Sequence, residues 1–289
     1  MFTTLISARE LQQLMASGAP LCVFDCSFEL MKPDAGAAQY VEARIPGSVY
    51  VHLDHHLSDK LGTDRASGGR HPLPSRETFA QRMAGLGLSN GVQVVVLDRQ
   101  GANYCGRLWW MLKWCGHEAV AVLDGGLAAW QAAGGTVASG PSPEPTPAPV
   151  PGHFSLNVAA APTASTHSVA QSLGRPTQTV IDARAGARFR GEVEPLDPVA
   201  GHIPGALNRP FAENLGPDGR FKPAAQLRAE FEHLLAGRDP ASVVHHCGSG
   251  VSAILNLLAM EVAGLGRTAL YPGSWSEWCN TPGAPCAVG

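Results

Sequence analysis

The 289-residue sequence predicts an α/β protein of two similar domains, each with a mostly parallel sheet flanked by helices. Three observations lead to this prediction. Short β-branched runs alternate with helix-like stretches in both halves, motifs of the first half recur in order in the second, and a proline-rich segment separates the halves. Such alternation is typical of parallel sheets that are covered by helices on both faces.

The elements of the first half follow from its hydrophobic pattern. Short apolar, β-branched runs predict buried strands, and longer stretches of helix formers predict helices. The predicted strands are LCVFD (21–25), VQVVVLD (92–98) and AVAVLD (119–124). The predicted helices are LQQLMASG (11–18), RETFAQRMAGLG (76–87) and CGRLWWMLKWCG (105–116). In the second half, VIDAR (180–184) and the run with Val243 and Val244 are strands, and the stretch 251–263 is helical.

The two halves share motifs in the same order, which indicates a duplication. The corresponding segments are ARIPGSVYVHLD (43–54) with GHIPGALNRPF (201–211), VFDCSFEL (23–30) with VIDARAGARF (180–189), and LDGGLAAW (123–130) with YPGSWSEW (271–278). We therefore expect both domains to contain the same succession of elements.

The segment SGPSPEPTPAPVPG (139–152) marks the boundary between the halves. Alternating prolines exclude a helix or a central strand, so we predict a semi-rigid, extended linker. The predicted domains are residues 1–138, an N-terminal non-catalytic domain, and residues 153–289, a C-terminal catalytic domain.

The composition restricts the possible partners and location. With 21 basic and 24 acidic residues the chain is nearly neutral, and it has no basic stripe that would indicate nucleic-acid binding. No apolar run reaches the roughly 18 residues of a membrane helix, and the N-terminus has no secretory signal. The seven cysteines are irregularly spaced, which fits a reducing compartment better than a disulfide framework. We expect a cytoplasmic protein that binds neither nucleic acid nor membranes.

One cysteine stands between the strand and the helix of VVHHCGSGVSAILNLLAMEVAG (243–264). The glycines that flank Ser249 let backbone N–H groups converge, and the start of the next helix adds partial positive charge. An anion is stable there, so the thiolate of Cys247 is favoured and reactive. The alternative, a small buried hydrophobe, is what we expect for the other cysteines: Cys22, Cys26, Cys105, Cys115, Cys279 and Cys286.

The first half has Asp98 at the place that Cys247 occupies in the second half, and its loop, DRQGANYCG (98–106), differs in composition. We therefore expect the nucleophile in the second domain only. The first domain is then structural and supplies one wall of a cleft between the domains.

These motifs resemble those of the tandem rhodanese family. That family shares the Ile-Pro-Gly segment, an Asp-Gly-Gly segment followed by Trp, and a cysteine loop at the end of the fourth strand of the second domain. The loop CGSGVS (247–252) is similar to the CGSGVT loop of 3-mercaptopyruvate sulfurtransferases. The related thiosulfate sulfurtransferases tend to carry basic residues after the cysteine, where this chain has Gly248 and Ser249.

The resemblance implies a sulfurtransferase in which Cys247 takes sulfur from 3-mercaptopyruvate as a persulfide, releases pyruvate, and passes the sulfur to an acceptor. The acceptor would be cyanide or a thiol, such as thioredoxin or a low-molecular-weight thiol. Backbone N–H groups of Gly248, Ser249, Gly250, Val251 and Ser252 would bind the anionic groups, and no metal or organic cofactor is implied. The alternatives are thiosulfate as the donor, or a persulfide carrier for a protein partner.

A carboxylate substrate requires an arginine, whose fork binds a carboxylate through two hydrogen bonds. ARFRGEVEPLD (187–197) supplies Arg188 and Arg190, of which the resemblance favours Arg188 as the substrate ligand. The alternative for each is an ion pair with Glu192 or Glu194. Similar enzymes often carry a second arginine shortly before the GHIPG segment.

This chain has Leu196 and Asp197 near the place of that second arginine. The absence of an arginine at this place argues against strict specificity for 3-mercaptopyruvate. Arg209 is a candidate to replace the missing arginine. The resemblance also implies a proton relay of Ser249, Asp54 and His71, in which histidine has a suitable pKa. The alternatives are that His71 packs against neighbouring prolines and that Asp54 caps a turn.

Two other kinds of site fit the sequence less well. The segment HLDHH (52–56) has the residue types of a metal site, but adjacent residues of an extended segment point to opposite sides. A cysteine phosphatase needs an arginine in its loop, where this chain has Ala253, and there is no Arg or Lys from 247 to 266. We expect His245 and His246 to pack against the cysteine loop and tune it.

Overall fold

The computed structural model describes residues 1–141 and 151–289, and contacts divide the chain into two units. The first unit consists of Met1–Asp59, Pro74–Ala160 and Pro217–Arg220, and the second of Lys60–Leu73, Ala161–Gly216 and Phe221–Gly289. Residues 142–150 of the predicted linker lie outside the described residues. The boundary at 139–152 therefore stays a proposal.

Lys60–Leu73 belongs to the second unit, although its sequence position falls within the predicted first domain. The physical reason is a set of polar contacts with residues far along the chain. The backbone N–H of Arg70 donates to Oγ of Ser276 at 2.9 Å, and the His71 ring is hydrogen-bonded to Ser249. A single cut in the sequence does not describe this arrangement.

The sheet of the first unit consists, within the described residues, of β1 (Leu5–Ile6), β2 (Leu21–Asp25), β3 (Val49–Tyr50), β4 (Gln93–Leu97) and β5 (Val120–Leu123). All neighbours pair in parallel, in the order β1-β5-β4-β2-β3. Every residue of the central strand β4 is buried, which explains its continuous apolar run. The predicted strands of the first half are confirmed as β2, β4 and β5.

The helices of the first unit are α1 (Ala8–Ala16), α2 (Ala35–Glu42), α3 (Leu53–His56), α4 (Arg76–Gly85), α5 (Cys105–Trp114) and α6 (Gly126–Ala132). The predicted helices correspond to α1, α4 and α5. α1 begins at a capping box, in which Oγ of Ser7 accepts from the N–H of Glu10 at 3.3 Å and the Glu10 carboxylate accepts from the N–H of Ser7 at 2.8 Å. α5 is buried along its whole length.

The sheet of the second unit consists, again within the described residues, of β6 (Thr179–Asp182), β7 (Leu207–Asn208), β8 (Val243–His246) and β9 (Ala269–Leu270). The strands pair in parallel in the order β7-β6-β8-β9. The equivalent of β1 is reduced to a single parallel bridge between Thr163 and Leu270. The cysteine therefore follows the third strand of this sheet in chain order, rather than the fourth.

The helices of the second unit are α7 (Thr166–Gln171), α8 (Gly186–Phe189), α9 (Ala224–Leu235), α10 (Ile254–Val262) and α11 (Ser274–Trp278), with 3-10 turns at Phe211–Asn214 and Pro240–Ser242. The predicted helix 251–263 begins three residues later than expected, because residues 247–253 form the loop after β8. Val180, Val244, Trp275 and Trp278 belong to the core on one face of the sheet. In residues 1–141 and 151–289, no helix is long and apolar enough to cross a membrane.

The two units repeat the same arrangement, which agrees with the predicted duplication. β4 lies between β2 and β5, and β8 lies between β6 and β9. The two Ile-Pro-Gly turns also match, because Gly47 and Gly205 have φ of 75° and 77°. In both turns the residue after the glycine donates its N–H to the isoleucine carbonyl, at 3.1 and 3.0 Å. Such left-handed turns favour glycine.

Candidate active site

Cys247 directly follows β8 and is buried, with 1% of its surface exposed. The closing segment YPGSWSEW (271–278) holds it in place. The N–H of Cys247 donates to Oγ of Ser274 at 3.2 Å, and its carbonyl accepts from the N–H of Trp275 at 3.0 Å. The repeated glycine–tryptophan motif of the second half therefore acts as a support for the cysteine loop.

The loop after Cys247 turns sharply and leaves backbone donors available. Gly250 has a φ of 74°, and a Cβ atom there would lie 2.3 Å from the carbonyl oxygen of Pro272, so only glycine fits. Among the described residues, the N–H groups of Gly248, Ser249, Val251 and Ser252 have no protein acceptor. Such amides ahead of a helix can bind an anion, which supports the predicted anion-binding role of the loop.

His245 and His246 are fully buried and hold the strand end, as predicted. Nε2 of His245 lies 3.2 Å from Sδ of Met260, and burial lowers the pKa of His245 to about 3. Nδ1 of His246 donates to the Cys247 carbonyl at 3.2 Å. Burial also lowers the pKa of His246, against the opposing effect of the nearby Asp182 carboxylate. Both rings are therefore neutral packing groups near pH 7.

Two of the three predicted relay residues meet in the second unit. Nδ1 of His71 lies 2.7 Å from Oγ of Ser249, and both side chains are buried. Asp54 lies in the first unit, in the first turn of α3, where its N–H donates to Nδ1 of His52 at 3.0 Å. The structure therefore brings together His71 and Ser249, and the role of Asp54 stays a prediction.

Arg188 is ion-paired and also faces the cysteine loop. Its Nη2 lies 2.6 Å from Glu194 and 3.3 Å from Asp197. Burial pushes the pKa of Glu194 up, but the hydrogen bond from Arg188 and two backbone N–H groups outweigh it, so the pKa lies below its usual value. A Cβ atom on Gly248 would lie 3.4 Å from Nη1 of Arg188. The predicted alternative, a pair with Glu194, thus holds the side chain beside the loop.

The other two predicted arginines are engaged elsewhere. Arg190 is half-exposed and pairs with Glu192 at 2.6 Å, as the alternative interpretation had it. Arg209, the candidate to compensate for the missing second arginine, donates to Glu230 at 2.5 Å and to Asn214 at 3.2 Å. Because Glu230 and Asn214 bind the guanidinium group, Arg209 does not replace the missing second arginine at the cysteine loop.

Arg70 is a residue of the site that sequence reasoning missed. Its Nη1 lies 2.6 Å from Asp197, and its Nη2 would lie 3.0 Å from a Cβ atom on Gly248. The sequence gives only a weak signal for this residue, namely its position next to His71 in the segment GGRHPLP (68–74). Packing of this segment onto the second unit could not be read from sequence order.

The remaining cysteines are all free, as is Cys247. Cys26, Cys105 and Cys115 are buried as predicted, and burial raises the pKa of each, that of Cys115 to about 11. The prediction of a buried hydrophobe is wrong for Cys286, which is exposed near the C-terminus, and Cys22 and Cys279 are half-buried.

Within residues 1–141 and 151–289, no three His, Cys, Asp or Glu side chains are grouped so that they could hold a metal ion. In the segment HLDHH (52–56), Nδ1 of His52 accepts from the backbone of Asp54, and Nδ1 of His56 accepts from the N–H of His52 at 2.8 Å. These histidines therefore stabilise the start of α3.

Fold and site together define a duplicated α/β protein with one loop cysteine, and comparison with known proteins gives its family. A rhodanese-like domain is matched twice, at residues 7–133 and 165–281. The chain belongs to the rhodanese family of sulfurtransferases, as its motifs predicted.

Individual relatives cover almost the whole chain. It is 44% identical over 281 residues to a probable 3-mercaptopyruvate sulfurtransferase of Pseudomonas aeruginosa, with 96% of both chains covered. It is 39% identical to a putative thiosulfate sulfurtransferase of Mycobacterium tuberculosis, over 99% of this chain and 97% of the relative. The solved structure of 3-mercaptopyruvate sulfurtransferase from Leishmania major superposes with a TM-score of 0.82 at 28% identity, covering 98% of this chain and 76% of that one.

Proposed function

We propose that this protein transfers sulfur from 3-mercaptopyruvate, through a persulfide on Cys247, to a thiol or to cyanide. The observation that carries the proposal is the loop CGSGVS (247–252), with its cysteine after β8 and its four backbone N–H groups that have no acceptor among the described residues. The names of the relatives from P. aeruginosa and L. major support the choice of donor.

In the first half-reaction, the thiolate of Cys247 attacks the sulfur atom of 3-mercaptopyruvate. A sulfur–sulfur bond forms and the carbon–sulfur bond breaks, with its electron pair going to the carbon to give the enolate of pyruvate. The enolate takes up a proton and leaves as pyruvate. The loop N–H groups stabilise the anionic sulfur of the thiolate before the attack, and that of the persulfide once its S–H proton has been lost.

In the second half-reaction, an acceptor thiolate or cyanide attacks the outer sulfur of the persulfide. The sulfur–sulfur bond breaks, Cys247 regains its thiolate, and the acceptor leaves as a persulfide or as thiocyanate. We propose thioredoxin or a low-molecular-weight thiol as the acceptor and the cytoplasm as the location, because seven free cysteines suit a reducing compartment.

We assign proton handling to His71 and Ser249. The hydroxyl of Ser249, 2.7 Å from the imidazole, is beside the cysteine in sequence and can donate to the reacting sulfur or to the enolate. Because the two side chains are within hydrogen-bond distance, a proton can pass between the hydroxyl and the imidazole. Arg188 binds the carboxylate of the donor through its Nη1, which points toward Gly248.

The second candidate function is thiosulfate:cyanide sulfur transfer. It is favoured by the relative from M. tuberculosis, which is named a putative thiosulfate sulfurtransferase. The chain also has Leu196 and Asp197 near the place where similar enzymes often carry a second arginine, and this departure favours a donor other than 3-mercaptopyruvate.

The deciding experiment is steady-state transfer to cyanide, with 3-mercaptopyruvate and thiosulfate compared on the wild-type protein and on Cys247→Ser. We expect a large preference for 3-mercaptopyruvate, measured as kcat/KM, that disappears in the variant. A preference for thiosulfate would select the second candidate. Transfer that survives in Cys247→Ser would remove Cys247 from the mechanism.

A further inference from the structure

Two guanidinium groups from distant parts of the sequence approach the same glycine of the cysteine loop. A Cβ atom on Gly248 would lie 3.0 Å from Nη2 of Arg70 and 3.4 Å from Nη1 of Arg188. Both residues belong to the second unit, Arg70 through the segment Lys60–Leu73. Any side chain at position 248 would therefore fill the space in front of these nitrogens.

The nitrogens that face Gly248 have donor capacity to spare. Among the described residues, neither Nη2 of Arg70 nor Nη1 of Arg188 has an acceptor, whereas Nη1 of Arg70 and both Nε and Nη2 of Arg188 donate to carboxylates. Nε of Arg70 is buried and likewise lacks a hydrogen-bond partner there. Both side chains are partly exposed, at 24% for Arg70 and 18% for Arg188, so a ligand with acceptor oxygens can reach these nitrogens. Hydrogen bonds from a charged donor to such a ligand are stronger than those between neutral groups.

Asp197 orients the two arginines. Its carboxylate lies 2.6 Å from Nη1 of Arg70 and 3.3 Å from Nη2 of Arg188, one oxygen to each, and its side chain is only 4% exposed. Glu194 contacts the same Nη2 of Arg188 at 2.6 Å and accepts from its Nε at 3.2 Å. The carboxylates of Asp197 and Glu194 hold the two guanidinium groups in place and offset part of their positive charge. The nitrogens that have no acceptor among the described residues therefore face the cysteine loop.

The backbone around Arg70 is also fixed. Gly69 has a φ of 84°, and a Cβ atom there would lie 2.5 Å from the carbonyl oxygen of Gly273, so only glycine fits at this position. The N–H of Arg70 donates to Oγ of Ser276 in α11, which also supports the cysteine loop. A rigid support of this kind keeps a binding group in its productive position.

We propose that Arg70 is a second substrate-binding residue, which together with Arg188 binds the carboxylate of an α-keto acid donor above Gly248. Arg70 takes the role of the second arginine that similar enzymes often carry near Leu196 and Asp197, and Asp197 instead bridges the two guanidinium groups. The inference rests on the proposed function and deepens it, because it names the group that recognises the carboxylate.

The kinetic test compares Arg70→Gln with Arg65→Gln. Arg65 is a matched control, because it is an exposed arginine on the same segment. Loss of one charge-assisted hydrogen bond is expected to raise KM for 3-mercaptopyruvate about 10- to 100-fold in Arg70→Gln, with kcat changed less than about threefold. Arg65→Gln is expected to match the wild type. An unchanged KM in Arg70→Gln would overturn the proposal.

A second measurement does not depend on the sulfur donor. Iodoacetate and iodoacetamide both alkylate a thiolate, but only iodoacetate carries a carboxylate, and mass spectrometry of the Cys247 peptide gives both rates. We expect the iodoacetate-to-iodoacetamide rate ratio to fall at least about fivefold in Arg70→Gln, with the iodoacetamide rate unchanged.

The two measurements separate this inference from the proposed function. If the alkylation ratio falls but the wild type does not use 3-mercaptopyruvate, the carboxylate site stands and the proposed donor is wrong. If the ratio stays unchanged, Arg70 does not bind the carboxylate. If both alkylation rates fall together, Arg70 only supports the loop, and the proposal fails.

Discussion

The loops that follow β4 and β8 occupy the same position in the two units, but they treat their backbone donors in opposite ways. In the first unit the carboxylate of Asp98 accepts four N–H groups, from Gln100, Ala102, Tyr104 and Cys105, at 2.8 to 2.9 Å. In the second unit the residue at this position is Cys247, and four loop N–H groups lack a protein acceptor among the described residues.

This difference explains how two copies of one fold can have a structural loop after β4 and a loop with available backbone donors after β8. A strand, a turn and a helix N-terminus form a place for negative charge. Asp98 fills that place permanently with its own side chain, even though burial raises its pKa against the effect of the four amides. The shorter side chain of Cys247 does not accept from the loop N–H groups. In the proposed function these groups remain available for the anionic sulfur.

The largest expected effect comes from giving the second loop the residue of the first. Cys247→Asp removes the nucleophile, so sulfur transfer to cyanide should fall by at least about 1000-fold. The added carboxylate can accept the free loop N–H groups, so the variant should stay folded. Activity and circular dichroism test both statements, and an unfolded variant would show that the two loops are not equivalent.

The next effect is on stability, from emptying the first loop. Asp98→Ala leaves four buried N–H groups without their acceptor, so the free energy of unfolding should fall by about 3 kcal/mol. Urea denaturation measures this change. Asp218→Ala is a control, because that carboxylate is 66% exposed. Equal stability of the two variants would mean that the Asp98 hydrogen bonds contribute little.

A pH effect should separate the two strand ends. β4 ends in Val96 and Leu97, whereas β8 ends in His245 and His246. The pKa of buried His245 is lowered from 6.5 to about 3, so its stabilising effect is complete above pH 6.5 and is lost as the pH falls towards 3. His245 alone should then lower the free energy of unfolding by about 1.4 kcal/mol per pH unit below 6.5.

His245→Val, which introduces the residue type of the first unit, should reduce the slope by this amount, and His246 and His56, whose pKa values are also lowered, should maintain the rest. His233→Val is the control, because His233 is exposed on α9. Urea denaturation between pH 7 and pH 5 gives the slope for each protein. A slope equal to that of the wild type in His245→Val would mean that His245 does not contribute to the acid sensitivity.

The smallest effect is expected at Arg190, whose ion pair with Glu192 is half-exposed on both sides. Such pairs contribute little, and this one is not directed at the cysteine loop. Arg190→Ala should therefore leave kcat/KM for the sulfur donor within about twofold of the wild type. A tenfold loss would return Arg190 to the site and weaken the role given to Arg188.

The sequence predicted the features that depend on local pattern. The strands β2, β4 and β5 were visible as apolar runs, and the repeated Ile-Pro-Gly turns have the same geometry because each needs a left-handed glycine. The loop of Cys247 was recognisable for the same reason, since a strand, two glycines and a helix are close in sequence.

Features that depend on distant packing were not predictable. Arg70 and His71 precede the linker, yet they contact Asp197 and Ser249. Arg209 closely follows the second Ile-Pro-Gly segment and is therefore a candidate substrate ligand by sequence, but its side chain is ion-paired with Glu230 on α9. Charge and spacing show which residues could bind a substrate, whereas ion-pair partners decide which of them remain available.

The position of Lys60–Leu73 in the second unit has a consequence for synthesis. The ribosome produces this segment long before β8 and α11. Arg70 and His71 can therefore form their contacts with the second unit only after nearly the whole chain has emerged. A fragment that begins at residue 153 would carry the nucleophile but lack both side chains. A gene for the second module alone would therefore lack two residues of the proposed site, although it would encode the cysteine loop.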